Sequence, residues 1–209
     1  MKAIIFDLDG VICFTDVYHY EAWKKLADEL KIPFDYKVNN RLRGVSRMES
    51  LNIILEQARE EYTEEEKLAL AEKKNGIYVK LLDNMSEKNL TSEVKQTLDK
   101  LRGRGYLLAI GSSSKNTKRI LEKLGLDGYF DAVADGTEIK NSKPDPEVFL
   151  LAAQKLGLEP ADCLVVEDAV AGVEAAVNGG FCCAGLGEAA KYGRTNYKLR
   201  TFSELLSAF

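Results

Sequence analysis

A chain of 209 residues with 45% hydrophobic content suits one large domain, or one domain carrying an insertion, around a sizeable core. Lys plus Arg number 29 against 33 for Asp plus Glu, a formal net charge of -4. That balance excludes a general polyanion-binding surface, so nucleic acid is not an expected partner, while a local basic pocket for a small phosphate ester stays open. Cys13, Cys163, Cys182 and Cys183 show no metal-ligand spacing, and His19 is the only histidine available to help them, so zinc is not expected. They read as small buried residues of a reducing compartment. No apolar run is long enough to cross a bilayer, and the chain enters an apolar strand almost at once with no basic-then-apolar leader. The expectation is a cytoplasmic protein without a membrane partner.

In chain order, residues 2–6 form a short apolar run that ends in Asp7-Leu8-Asp9-Gly10, the pattern of a buried strand with a polar C-terminal edge. The next stretch, to about residue 84, breaks into charge-rich amphipathic patterns at 21–30, 49–59 and 64–82, with no convincing strand among them. From residue 92 onward, helical patterns at 92–101, 116–124, 146–156 and 169–177 alternate with apolar runs at 106–111, 131–134, 163–166 and 182–186. Glycines follow the helical patterns, as expected of helix stops. Alternation of this kind implies a parallel sheet with helices on both faces. The predicted organisation is an α/β core of residues 1–13 and 87–209, flavodoxin-like in its parallel sheet, with a helical cap of residues 14–86 inserted after the first strand and two linkers acting as a hinge. Helices that merely pack on the core are the plain alternative. Residues 197–202 make a poor strand, which leaves the last sheet edge undefined.

Asp7 and Asp9 lie two apart at a strand end, so period-two geometry sends both side chains to the same side. Sites in open parallel sheets form outside the carboxyl ends of the strands. Two carboxylates crowded there need a cation or a shared proton. Glu167 and Asp168 follow another apolar run and fall at the same edge. An oxygen-only donor set of this kind suits Mg²⁺. Strand-end acids are also common as solvated turn residues or caps, and for either pair alone that reading competes well. Ser112, Ser113, Ser114, Lys115 and Asn116 lead from a strand into a helix, where hydroxyls and amides either bind an anion or simply cap the helix. Lys143, before Pro144, can neutralise a phosphate as a point charge, or it is a surface lysine.

In this order, Asp7-Leu8-Asp9-Gly10, Ser112, Lys143-Pro144 and Glu167-Asp168 resemble the four motifs of the haloacid dehalogenase-like phosphotransferases. The resemblance implies that Asp7 becomes an aspartyl-phosphate and that Asp9 is the general acid/base. It implies that Mg²⁺ is held by the Asp7 side chain, the Asp9 backbone carbonyl and Asp168, with Glu167 a further candidate, directly or through water. It also implies that Ser112 and Lys143, with Ser113 and Asn116 beside them, hold phosphate. Thr15, Tyr18-His19, Trp23, Arg43-Gly44-Val45-Ser46-Arg47 and Lys73-Lys74-Asn75 resemble the helical cap of the β-phosphoglucomutase family. Cys13-Phe14 departs from the polar pair that relatives often carry at the hinge. The cap resemblance implies that Arg47 grips the phosphate not being transferred. It implies that Lys74 and His19 support the sugar and the acid/base, and that Ser114, Lys115 and Asn116 contact substrate. Thr15, Trp23, Gly44 and Val45 complete the expected substrate-binding set; Gly44 permits close backbone approach, and Trp23 also reads as packing. Lys74, beside Lys73, has a solvated charged face as its plain alternative.

The implied reaction interconverts β-D-glucose 1-phosphate and D-glucose 6-phosphate through an aspartyl-phosphate and a β-glucose 1,6-bisphosphate intermediate, by a monomeric enzyme acting on a small phosphorylated sugar. The alternative is a Mg²⁺-dependent sugar-phosphate or phosphoglycolate phosphatase of the same superfamily. A non-catalytic phospho-sensing protein is disfavoured, because it has no need of the whole set Asp7, Asp9, Ser112, Lys143 and Asp168.

Overall fold

In the computed structural model, which describes residues 1–42 and 45–209, the apolar runs become β1 (Ala3–Phe6), β2 (Leu107–Gly111), β3 (Ala132–Ala134), β4 (Cys163–Glu167) and β5 (Cys182–Gly185). A two-residue β6 (Tyr197–Lys198) lies beside β5, so the poor strand at the C-terminal end does close the sheet edge, but only briefly. All pairings are parallel and the order is β3-β2-β1-β4-β5-β6. The parallel α/β architecture is as expected. The flavodoxin comparison holds for the layers and not for the strand order, since here β1 sits between β2 and β4.

Burial on both faces explains why β1 is apolar throughout and β4 is apolar up to its terminal Glu167. Period two divides β1 between two cores, with Ile4 and Phe6 in one cluster and Ala3 and Ile5 in the other. Phe6 stands opposite both Ile110 and Val166, so the carboxyl ends of the three central strands are level. This register brings Asp7, Ser112 and Glu167 to one edge.

Between β1 and β2 come α1 (Asp16–Glu29), α2 (Tyr36–Asn40), α3 (Arg47–Leu55), α4 (Glu64–Leu82) and α5 (Ser92–Gly103). The start of α1 lies five residues before the predicted one, which places His19 at the close of its first turn. The short α2 was not predicted; Asp35 starts it by accepting a hydrogen bond from the Val38 amide. A reciprocal Thr63–Glu66 capping box starts α4. Trp23, Leu26, Phe34, Leu51, Ile54 and Ala71 form a separate apolar cluster among these helices. The far end of α4 leaves it, because Tyr78 and Leu82 pack into the main core. After β2 the chain alternates through α6 (Thr117–Lys123), α7 (Glu147–Leu156) and α8 (Val170–Asn178), and ends in α9 (Leu205–Ala208). Gly157 closes α7 in the left-handed conformation.

Candidate active site

Asp7 continues the β1 ladder by donating its amide to the Val166 carbonyl, which fixes its position at the sheet edge. Asp7 is 8% exposed, and its carboxylate accepts a hydrogen bond from Lys143 Nζ at 2.5 Å. Lys143, itself buried, donates a second bond to Glu167 Oε1 at 2.7 Å. The other oxygen of Glu167 accepts the amides of Asp168 and Ala169, both at 2.9 Å. Lys143 is therefore an internal ion-pair partner and not a surface charge. Burial pushes the Asp7 carboxyl up to about 7, while Lys143 pulls it down and Glu167 and Asp9 add to the rise. Burial works against the Lys143 ammonium, but Asp7 and Glu167 outweigh it and hold its proton above the usual lysine range.

Asp7, Glu167 and Asp168 each present a carboxylate oxygen within 4.8 Å of the others. Three hard oxygen donors suit Mg²⁺. Room for Asp168 comes from Gly10: a Cβ there would stand 2.3 Å from Asp168 Oδ2, and the backbone has φ +91°. One Glu167 oxygen anchors Lys143 while the other accepts the two amides, so Glu167 also positions Lys143 beside this acidic cluster.

Ser112 follows β2 and is buried; its hydroxyl accepts the Ser114 amide at 3.2 Å, and the Ser114 hydroxyl accepts the Asn116 amide at 3.2 Å. The buried Ser113 hydroxyl has no hydrogen-bond partner among the described residues. Asn116 precedes α6 without capping it through its side chain, which instead donates to Asn75 Oδ1 at 3.0 Å.

From the helical side, Arg47 donates to Asn75 Oδ1 at 2.9 Å and to Glu72 at 3.3 Å. Lys74 is 3% exposed, with its Nζ 4.6 Å from the Trp23 ring centroid and 4.7 Å from that of Tyr78. The solvated-face reading of Lys74 thus fails, and Trp23 both packs and supports the ammonium. Burial, then the charge of Arg47, lowers Lys74 to about 7, with Asp9 acting in the opposite direction. Burial and the cations of Lys74 and Arg47 hold His19 well below its usual range. A neutral His19 can accept from Lys74 through Nδ1, 2.9 Å away, and keep its proton on Nε2, 3.9 Å from Asp9 Oδ2. Asp9 Oδ1 accepts the Thr15 amide at 2.7 Å.

A cleft of about 530 Å³ unites these groups, a volume suited to a small organic ligand. Asp7, Asp9, His19, Trp23, Val45, Arg47, Lys74, Ser112, Ser113, Ser114, Lys115, Asn116, Lys143, Glu167 and Asp168 all line it. Thr15 does not. It is fully buried, with its hydroxyl accepting from Tyr78 at 3.1 Å, and it acts on the cleft by orienting Asp9. Gly44 lies outside the described residues. Sequence reasoning assigned no site role to Tyr78, Ser50, Lys140 or Asn75, which also line the cleft. Only Asn75, inside the cap resemblance, carried a signal.

A parallel α/β sheet with acids, a buried lysine and hydroxyls at one edge, facing cations on an inserted set of helices, defines an enzyme acting on phosphate esters, a phosphomutase or a phosphatase. The family model of the haloacid dehalogenase-like hydrolases matches residues 1–180, and the chain belongs to that family. It is 42% identical over 190 residues to a β-phosphoglucomutase of Bacillus subtilis, covering 90% of this chain and 84% of that protein. It is 32% identical to a phosphorylated carbohydrates phosphatase of Thermotoga maritima, with 87% of this chain and 82% of the relative covered. The crystal structure of a β-phosphoglucomutase from Clostridium difficile superposes with a TM-score of 0.91 at 39% identity, covering 98% of this chain and 93% of that one.

Proposed function

We propose that this protein interconverts β-D-glucose 1-phosphate and D-glucose 6-phosphate. The observation that carries the proposal is the pairing of two charge centres across one cleft. Asp7 and Lys143 lie at the sheet edge, and Arg47 and Lys74 lie on the inserted helices. A hydrolase of simple monophosphates needs only the first. An enzyme that must hold both ends of a bisphosphate needs the second as well.

In the proposed cycle a sugar hydroxyl oxygen attacks the phosphorus of phospho-Asp7. The Asp7 Oδ–P bond breaks as the new O–P bond forms, and Asp9 takes the hydroxyl proton. The bisphosphate then turns over. The Asp7 carboxylate attacks its other phosphorus, and the departing sugar oxygen takes the proton back from Asp9. Thr15 and His19 keep Asp9 directed at the reacting oxygen. Lys143 and Ser112 neutralise and hold the transferring group. Mg²⁺, held by Asp7, Asp168 and the Asp9 carbonyl, would supply charge neutralisation at the transferring oxygens.

Arg47, with Ser114, Lys115 and Asn116, would grip the resting phosphate, while Lys74 faces the sugar. Residues 14–86 would act as a cap that closes on core residues 1–13 and 87–209 and excludes water. The free cysteines accord with a reducing, cytoplasmic setting, and a monomer is the accompanying assembly state, open to light scattering.

The test is a product assay on β-glucose 1-phosphate with Mg²⁺ and trace bisphosphate. Glucose 6-phosphate supports the mutase, and free phosphate alone supports the phosphatase reading. Arg47→Ala should lower the ratio of glucose 6-phosphate to phosphate about 30-fold or more, the factor for loss of a contact worth at least ~2 kcal/mol. An unchanged ratio would remove Arg47 from the site.

A further inference from the structure

Asn75 occupies a position in the cleft that no role above accounts for. It follows Lys74 on α4 and reaches across to the loop after β2. Its Oδ1 accepts two hydrogen bonds, from Arg47 Nη2 at 2.9 Å and from Asn116 Nδ2 at 3.0 Å. Arg47 is an obligate donor, which fixes the orientation of both amides: Asn75 must present oxygen to it, and Asn116 must then present nitrogen to Asn75. The Asn75 amide nitrogen is anchored in turn on Glu72 Oε1 at 3.3 Å. One neutral oxygen thus gathers a cation from the inserted helices and an amide donor from the sheet edge.

We infer that Asn75 is a positioning residue whose carboxamide oxygen stands in for a phosphate oxygen, holding Arg47 and Asn116 converged on one point before substrate arrives. The inference rests on the reading that these two groups grip the resting phosphate. Donors that are already converged cost less entropy to recruit when the anion binds. Neutrality matters equally. A carboxylate at this place would gather the same donors but would oppose the incoming anion, whereas an amide oxygen yields to it. The arrangement also explains why Asn116 leaves α6 uncapped.

The role predicts a split between KM and kcat. Asn75→Ala should raise the KM for β-glucose 1,6-bisphosphate about tenfold, equivalent to ~1.4 kcal/mol, with kcat changing much less. Asn75→Asp keeps both acceptor contacts but loses the amide donor to Glu72 and sets a second carboxylate beside it, so it should fold with a slightly lowered melting temperature. Its KM should nevertheless rise, most at low ionic strength and less as salt screens the added charge. Adding Asn116→Ala to Asn75→Ala should cost much less than the product of the single effects, because both remove one bridge. A KM for Asn75→Asp within twofold of the wild type at low salt would overturn the inference, as would multiplicative single effects in the double variant. Both arms use bisphosphate consumption, so they stay readable if the wild type releases only phosphate, a result that would reject the mutase and leave Asn75 to be judged separately.

Discussion

Replacing Gly172 by alanine sets two effects of opposite sign against each other, and the structure decides between them. Gly172 lies in α8, where alanine would ordinarily gain up to about 1 kcal/mol of helix propensity. A Cβ there would stand 1.8 Å from Glu167 Oε1 and 1.9 Å from its carboxyl carbon, well inside contact distance. Glu167 has no room to retreat, since it is 1% exposed and tied to Lys143 and two backbone amides. Forcing it aside adds an overpacking cost of about 1–3 kcal/mol. It also loses charge-assisted hydrogen bonding worth about 1.5–3 kcal/mol. The net expectation is destabilisation by about 1.5–6 kcal/mol, a melting temperature lower by about 3–24 °C for a chain of this size. Activity should fall further, because Lys143 loses one of its two anchors. Gly76 is the control: it lies inside α4 with nothing within 4 Å of its would-be Cβ. Gly76→Ala should therefore stabilise by up to about 1 kcal/mol. Circular-dichroism melts and urea titrations of both variants read the outcome. A Gly172→Ala protein melting at or above the wild type would mean that Glu167 can move aside without loss.

Lys143→Met leaves Asp7 and Glu167 buried without their cation and should cost about 3–5 kcal/mol. The loss should be greater at pH 8 than at pH 5, because Asp7, already raised by burial, is more easily accommodated protonated; equal losses at both pH values would contradict this. In metal-free wild type, the raised Asp7 carboxyl contributes stability while it holds its proton, present below the unfolded carboxyl range and lost as pH rises through about 7. Relative to Asp7→Asn, stability in EDTA should therefore fall across that window, and a difference flat with pH would exclude it. Asp9→Asn should lower kcat by ~10²–10⁴ while Mg²⁺ affinity, read by calorimetry, changes little; activity within a few-fold of the wild type would deny Asp9 the proton.

Much of this protein is local chemistry. Short continuous apolar runs located β1 to β5 within a residue or two, because strands buried on both faces have little choice of residue type. The acids, hydroxyls and lysine of the sheet edge were legible because each follows its own strand directly, so alternation of elements alone brings them to one edge. Short or half-exposed elements escaped: α2 spans five residues with one buried side chain, and β6 has none.

Lys74 shows where the sequence ran out. Beside Lys73 a solvated charge is its plain alternative; Tyr78 lies one turn further along the same helix, but only the crossing of α4 over α1 brings the Trp23 ring against it. Thr15 looked like a substrate contact and became the partner of Asp9 and Tyr78, residues six and sixty-three positions away. The bridge from Arg47 through Asn75 to Asn116 spans separations of 28 and 41 residues, beyond the reach of any periodicity. Residue order is enough to say which groups the chain carries and at which strand ends they fall. Tertiary structure alone decided how deeply each is buried and which charges face it. Those two conditions set the upward shift of Asp7, the lowered Lys74 and the neutral His19, because desolvation and nearby charge act through space and not along the chain.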